Sequence, residues 1–187
     1  GKNEDFAGAI ECCNNALNEF PNEPHFYNFY AISLAYLGRF DEALDYYSKA
    51  LEIDPHDDVL KDNKLNCYCD KIADLGKNED FAGAIECCNN ALKEFPNDSW
   101  LYFYKVMYLN KLGKFDDAFI CCNYALKKFP EDSNLYGCKG ICLEKLDKFD
   151  EAIECFDKGL EIEPDNEYVL KNRAKCFENK KMFKFRD

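Results

Sequence analysis

The sequence predicts an all-α fold, a solenoid of stacked antiparallel helix pairs. Three observations lead there. Residues 1–22, GKNEDFAGAIECCNNALNEFPN, return at 76–97 with one change, Asn18 against Lys93. Prolines stand at 21, 55, 96, 130 and 164, at spacings of 34, 41, 34 and 34. Each proline is preceded at fixed distances by an aromatic, an alanine, a second small residue and a leucine. Self-similarity at such a period marks a repeat whose units bury their apolar faces only against their neighbours.

The second helix of each unit carries the clearest columns: Phe6, Phe40, Phe81, Phe115 and Phe149; then Ala9, Ala43, Ala84, Ala118 and Ala152. Ala16, Ala50, Ala91, Ala125 and Gly159 follow seven residues on, each with a leucine behind it. Small residues seven apart share one helix face, where a neighbouring backbone can come close. The proline ends the helix, having no N–H and a fixed φ. "LGRF", "LGKF" and "LDKF" mark a tight turn before it, with Gly38 and Gly113 suited to the left-handed conformation. First helices show their own columns: Tyr27, Ala31, Leu34; Tyr102, Val106, Leu109; Tyr136, Gly140, Leu143; and, in the last unit, Leu170, Ala174, Phe177.

The expected organisation is a single array over 1–187. Residues 1–23 form the second helix of a partial unit; 24–57, 58–98, 99–132 and 133–166 are full units; 167–187 form a terminal first helix. Unit 58–98 is the lengthened one, with Lys61 and Lys64 where apolar residues are expected. Leu75-Gly76 reads as its turn, which puts three extra residues into the turn and four, roughly one helical turn, into the helix. Gly1-Lys2-Asn3 matches Gly76-Lys77-Asn78, so the chain reads as a piece of a longer array, built on a 75-residue double unit.

Composition narrows the function. Apolar residues make up 47% and aromatics 16%, which excludes a disordered chain. A net charge of -12 argues against nucleic acid, whose phosphates need a basic footprint. Lys171–Asp187 is the exception, basic against an acidic body, and reads as a solvated end. The longest apolar stretch, Trp100–Leu109, is about half of a membrane span and contains Lys105. Twelve cysteines inside helical patterns predict reduced thiols and a cytoplasmic setting.

Tyr136-x-x-Lys139-Gly140-x-x-Leu143, followed by Phe149, Ala152, Phe156, Gly159 and Pro164, resembles the tetratricopeptide repeat family, although Lys139 stands where that family prefers leucine. The resemblance extends over essentially the whole chain. It implies a right-handed superhelix whose first helices line a concave groove that grips a peptide or helix of a partner protein. Carried over residue by residue, that groove offers His25, Asn28, Ile32 and Tyr36, then Asp62, Asn66 and Asp70, then Trp100, Phe103, Met107 and Lys111. Later units add Asn134, Ile141, Glu144 and Lys145, with Tyr168, Lys171 and Lys175 at the end. Trp100, Phe103 and Met107 are the expected centre, with packing against the lengthened unit as the competing role. Asn28 and Asn66 alone do not form the Lys/Asn/Arg clamp by which some relatives hold acidic chaperone termini, so a basic or mixed-charge apolar partner is expected.

The doublets Cys12-Cys13, Cys87-Cys88 and Cys121-Cys122 first suggest a thiol-based metal or redox protein. In the columns, however, Cys13, Cys88 and Cys122 share the place of Tyr47 and Phe156, which points to packing. Adjacent cysteines are too close for an unstrained disulfide. No C-x-x-C occurs, and no metal site or cofactor is expected. Neither His25 nor His56 sits in a nucleophile pattern, and no glycine-rich phosphate loop is present. The predicted function is a non-catalytic protein-interaction scaffold. The first alternative is self-assembly through the array ends.

Overall fold

The computed structural model describes residues 2–183. Gly1 and the end of the basic segment, 184–187, lie outside the described residues. Ten helices and no strand are found among the described residues: α1 (Lys2–Glu19), α2 (Pro24–Tyr36), α3 (Phe40–Ile53), α4 (Asp58–Lys77), α5 (Phe81–Glu94), α6 (Ser99–Lys111), α7 (Phe115–Lys128), α8 (Ser133–Lys145), α9 (Phe149–Ile162) and α10 (Glu167–Phe183). They divide into two compact units, Gly1–Asp74 and Leu75–Asp187. In the first, α1 packs on α2 and α2 on α3; in the second, each helix from α5 to α10 packs on the next. There the first-type helices α6, α8 and α10 also touch one another in turn.

The small-residue columns are the innermost part of each pair. Ala43, Ala84, Ala118 and Ala152 are fully buried, as are Ala50, Ala91 and Ala125. At Gly159 an added Cβ would lie 3.1 Å from the Ser133 carbonyl oxygen, so the two backbones meet there without a side chain between them. First-helix columns close the interface from the other side: Ala31, Leu34, Val106 and Leu143 are buried.

The turns within pairs share one geometry. The amides of Arg39, Asp80, Lys114 and Lys148 each donate to a leucine carbonyl five residues back (Leu34, Leu75, Leu109 and Leu143), all at 2.9 Å. This is the long bond of a Schellman motif, whose penultimate residue takes positive φ. Gly38 and Gly113 fill that place as expected, at φ 75° and 73°, while Glu79 and Asp147 fill it at 60° and 59°.

That bond corrects the reading of the lengthened unit. Leu75 is the counterpart of Leu34, not of Leu37, and Gly76 and Lys77 are still helical. The turn has the ordinary length, and the whole seven-residue excess lies in α4, which has 20 residues where α2, α6 and α8 have 13. Seven residues are nearly two turns, so the buried face returns to register. Lys64, which stands where an apolar residue is expected, is only 5% exposed. Gly76 serves packing instead of the turn: an added Cβ would fall 2.0 Å from the Tyr108 hydroxyl oxygen.

The connections between pairs carry a cap that column-reading passed over. The carboxylates of Asp57, Asp98 and Asp132 and the side-chain oxygen of Asn166 accept from the amides of Leu60, Leu101, Leu135 and Val169 at 2.9–3.1 Å. Each stands two residues after the helix-ending proline, so Pro-x-Asp stops one helix and starts the next.

Two substitutions test these assignments. Glu79→Gly removes the left-handed penalty of an L-residue, about 1–2 kcal/mol, against an entropic cost of about 0.5–1 kcal/mol, so urea unfolding should show a gain of about 0.5–1 kcal/mol. Gly140→Ala places a Cβ 2.7 Å from the buried Phe156 ring and should lower stability by about 1–3 kcal/mol in the same measurement.

Candidate functional site

In the first compact unit, the expected groove residues of α2 and α4 surround a small cleft. Ile32, Ala35 and Tyr36 of α2, Tyr47 of α3, and Asn63, Asn66, Cys67 and Asp70 of α4 line about 270 Å³. Asn28 joins its edge through the Asn63 amide, which donates to the Asn28 side-chain oxygen at 3.1 Å. The floor is apolar and the rim is amide and carboxylate. Burial pushes the Tyr47 hydroxyl well above its ordinary value, with Cys67 and Asp70 adding to the effect, so it remains a neutral group. Asn66, Asp70 and Tyr36 are exposed. Phe6 of α1 stacks on Tyr36 with ring centroids 4.7 Å apart and fixes its direction. His25 and Asp62 are exposed and do not line this cleft.

In the second unit, the aromatic centre on α6 is present but divided in character. Trp100 is 53% exposed and meets Phe103 edge-to-face at 5.4 Å. Phe103 is half-buried and in turn meets Tyr168 of α10 edge-to-face at 5.4 Å. Its packing partner is therefore the last first-type helix. The path from α6 to α10 crosses α8 at Gly137, where an added Cβ would lie 3.1 Å from the Tyr168 ring and 3.0 Å from Val169. Tyr168 reaches over this gap, and its hydroxyl shares a hydrogen bond with the Cys138 thiol at 3.4 Å. Met107 is half-buried, and Ile141 packs on the core formed by α8, α9 and α10. Glu144, expected to face a partner, is buried and accepts from the Asn179 amide at 2.7 Å.

Residues 31–57 and 133–166 match the family model for the tetratricopeptide repeat. These segments are tetratricopeptide repeats. Solved structures extend the likeness in fold. MamA is 20% identical, with a TM-score of 0.57, over 86% of this chain and 84% of its own. YrrB, described as a TPR protein with an unusual peptide-binding site, is 20% identical, with a TM-score of 0.55, over 88% of this chain and 99% of its own. The first TPR of Spaghetti (RPAP3), bound to HSP90 peptide SRMEEVD, is 23% identical, with a TM-score of 0.55, over 61% of this chain and 90% of its own. No curated protein sequence matches the chain.

The buried cysteines are packing groups. Cys88, Cys122, Cys138, Cys142 and Cys176 have no more than traces of exposed surface. Cys122, Cys138 and Cys142 join Val106, Leu109 and Ala118 in one cluster between α6, α7 and α8. All twelve cysteines are outside disulfides, and among the described residues no three His, Cys, Asp or Glu side chains converge as a metal site would require. Burial pushes the Cys138 thiol up to about 12, against the smaller opposing effect of its bond with Tyr168. The unfolded chain therefore releases this proton first as the pH rises. Stability from the neutral thiol should be intact below about pH 8.5 and decline as the pH approaches 12, by about 1.4 kcal/mol per pH unit. Denaturant titrations across that range should show a flatter decline for Cys138→Ala.

Proposed function

We propose that this chain is a non-catalytic protein-interaction scaffold that captures a peptide or helix of a partner protein on the faces of its first-type helices. The observation that supports it most is Trp100. It is the only tryptophan in the chain, it lies on α6 between packed neighbours, and it is left more than half exposed. A large rigid aromatic held in place by Phe103 and left open is the usual anchor of an interface hot spot. Met107 and Ile141 serve as adjoining contacts in this reading. Ile32, Tyr36, Asn28 and Asn66 provide a second contact region with an apolar floor and a hydrogen-bonding rim. Tetratricopeptide repeat proteins are generally interaction modules, and peptide binding by YrrB and by the Spaghetti (RPAP3) repeat supports extending that role here.

The chemistry of the partner is a further part of the proposal. The acidic HSP90 peptide suits a basic groove, whereas Asp62 and Asp70 flank Asn66 in this chain and the net charge is -12. A segment with apolar anchors and basic flanks is the better complement. The register of the repeats supports treating 1–187 as one array with the segment bounds given above. Twelve cysteines outside disulfides support a reducing, cytoplasmic setting, and no helix among the described residues is long and apolar enough to cross a membrane.

Peptides selected from a displayed library by the wild-type chain should bind Trp100→Ala at least about tenfold more weakly, with helix content unchanged. Fluorescence of the lone tryptophan should shift on binding to the wild-type chain. Unchanged affinity in Trp100→Ala would remove this residue from the site.

A further inference from the structure

Helices α5 and α7 both pack on α6 and, among the described residues, not on each other. Between them lies a groove of about 790 Å³. It is no array end, since α4 precedes these three helices in the chain and α8 follows them. Nor does a repeat helix belong in it, because α7 and α9 stand apart over α8 in the same way. Tyr102 and Leu109 of α6 form its buried floor, Ile85 and Leu92 of α5 one wall, and Ile120 and Tyr124 of α7 the other. Lys93, Lys105 and Lys114 line it against the single carboxylate of Asp117, a net of +2 on a chain whose net charge is -12.

The wall on α7 departs from its own repeat. The column of Ile120 holds Glu11, Asp45, Glu86 and Glu154 in the other second helices, and that of Tyr124 holds Asn15, Lys49, Asn90 and Lys158. Both apolar side chains are exposed all the same, Ile120 by 65% and Tyr124 by 53%. Four residues apart on one helix, they form a single patch. Tyr124 is also held in place. Its ring centroid is 5.8 Å from that of Tyr102, and the Lys128 ammonium, which donates to the Pro96 carbonyl at 3.0 Å, lies 5.4 Å from it. An aromatic fixed in the open loses little entropy on binding.

The lysines of the groove lack the partners that their counterparts have. At the place of Lys114, Arg39 pairs with Glu42 at 2.6 Å and Lys148 with Glu151 at 3.9 Å. Asp117 is one carbon shorter than those glutamates, and Lys114 forms no ion pair among the described residues. Lys139 lies over the Phe119 ring at 5.5 Å, whereas its counterpart Lys105 has Ile85 at the place of that ring. Lys93 donates only to the Asn90 side-chain oxygen, at 2.9 Å.

We propose that this groove is a second docking site, which takes an acidic amphipathic segment of a partner protein. Its apolar side chains lie against Ile120 and Tyr124, and its carboxylates meet Lys93, Lys105 and Lys114. Charge complementarity selects this occupant. A lysine-flanked segment would bring cations to a cationic rim, and a purely acidic one would leave the apolar wall in water. The site is separate from the face proposed above: by helical spacing, Trp100, Phe103 and Met107 fall on one side of α6, and Tyr102, Lys105 and Leu109 on the other.

The test is a selection of displayed peptides on the full chain carrying Trp100→Ala, with counter-selection on the full chain carrying Ile120→Glu/Tyr124→Lys. These two substitutions supply the residues that the next repeat carries at the same positions, so circular dichroism should stay that of the wild type. The selected peptides should be enriched in Asp and Glu beside aliphatic or aromatic residues. A synthetic copy of the most frequent one should bind the wild-type and Trp100→Ala chains alike, and less tightly as salt rises. It should bind Ile120→Glu/Tyr124→Lys, and also Lys93→Glu/Lys114→Glu, at least about tenfold more weakly, while Lys93→Arg/Lys114→Arg stays within about twofold. Failure to select any peptide that tells the two chains apart overturns the proposal. So does a selected set without acidic enrichment, or an affinity that Lys93→Glu/Lys114→Glu leaves unchanged. A sedimentation mass that rises with concentration in the wild type but not in Ile120→Glu/Tyr124→Lys would put a second copy in the groove and overturn the choice of occupant.

Discussion

Everything in this fold depends on how closely two helix backbones can approach along the small-residue columns. Ala43, Ala118 and Ala152 are sealed from water, and Gly159 brings its backbone against the Ser133 carbonyl. With the axes set so close, the neighbouring column must match the volume opposite it, because interiors pack without spare space. The alternation of residues one turn along follows from this. Phe156 lies over Gly140, which has no side chain to resist the ring. Cys122 shares its cluster with the larger Val106. Tyr47 occupies the same column as these two, in the pair whose first helix carries Ala31. A bulky residue on one helix is matched by a small one on the other. The cysteine doublets that first suggest metal or redox chemistry become the small member of a volume exchange.

Close approach also explains which parts of the structure were legible in the sequence. Columns record direct contact at fixed spacing, so the helix pairs, the glycine turns at Gly38 and Gly113 and the buried faces could all be read. The end of α4 could not. Reading Gly76 as a turn residue assumes that glycine signals φ > 0, whereas here it makes room for Tyr108 and Glu79 takes the left-handed place. The invariant signal was the leucine five residues before the second helix's lead-in residue, which Leu75 keeps. Pro-x-Asp was equally available, and it marks four helix starts through an aspartate or asparagine cap.

For the site, helical spacing identified a face but not its depth. Trp100 and Phe103 are three residues apart on one helix, yet only Phe103 is drawn into the core, because Tyr168 reaches it from α10 across Gly137. Glu144 is withdrawn from solvent for a similar reason, through the Asn179 amide. Both outcomes depend on a helix more than 30 residues away in sequence. Periodicity within one helix carries no record of them.

Exposure of an apolar residue therefore has two distinct origins in this molecule. Leu170 and Phe177 are exposed although their columns are buried elsewhere; the same positions on α6 are sealed because α7 and α8 cover them. Their columns are packing columns, so their exposure is no sign of recognition. Trp100 is different. Neighbours α5 and α7 flank its helix and α8 touches it, and still the indole remains half in water. Its column holds His25, Val59, Asn134 and Tyr168, so no one residue type repeats there. It is not one of the small or leucine columns by which the helices pack. The proposed recognition role rests on an open aromatic at such a position, whereas an exposed member of a packing column belongs to packing.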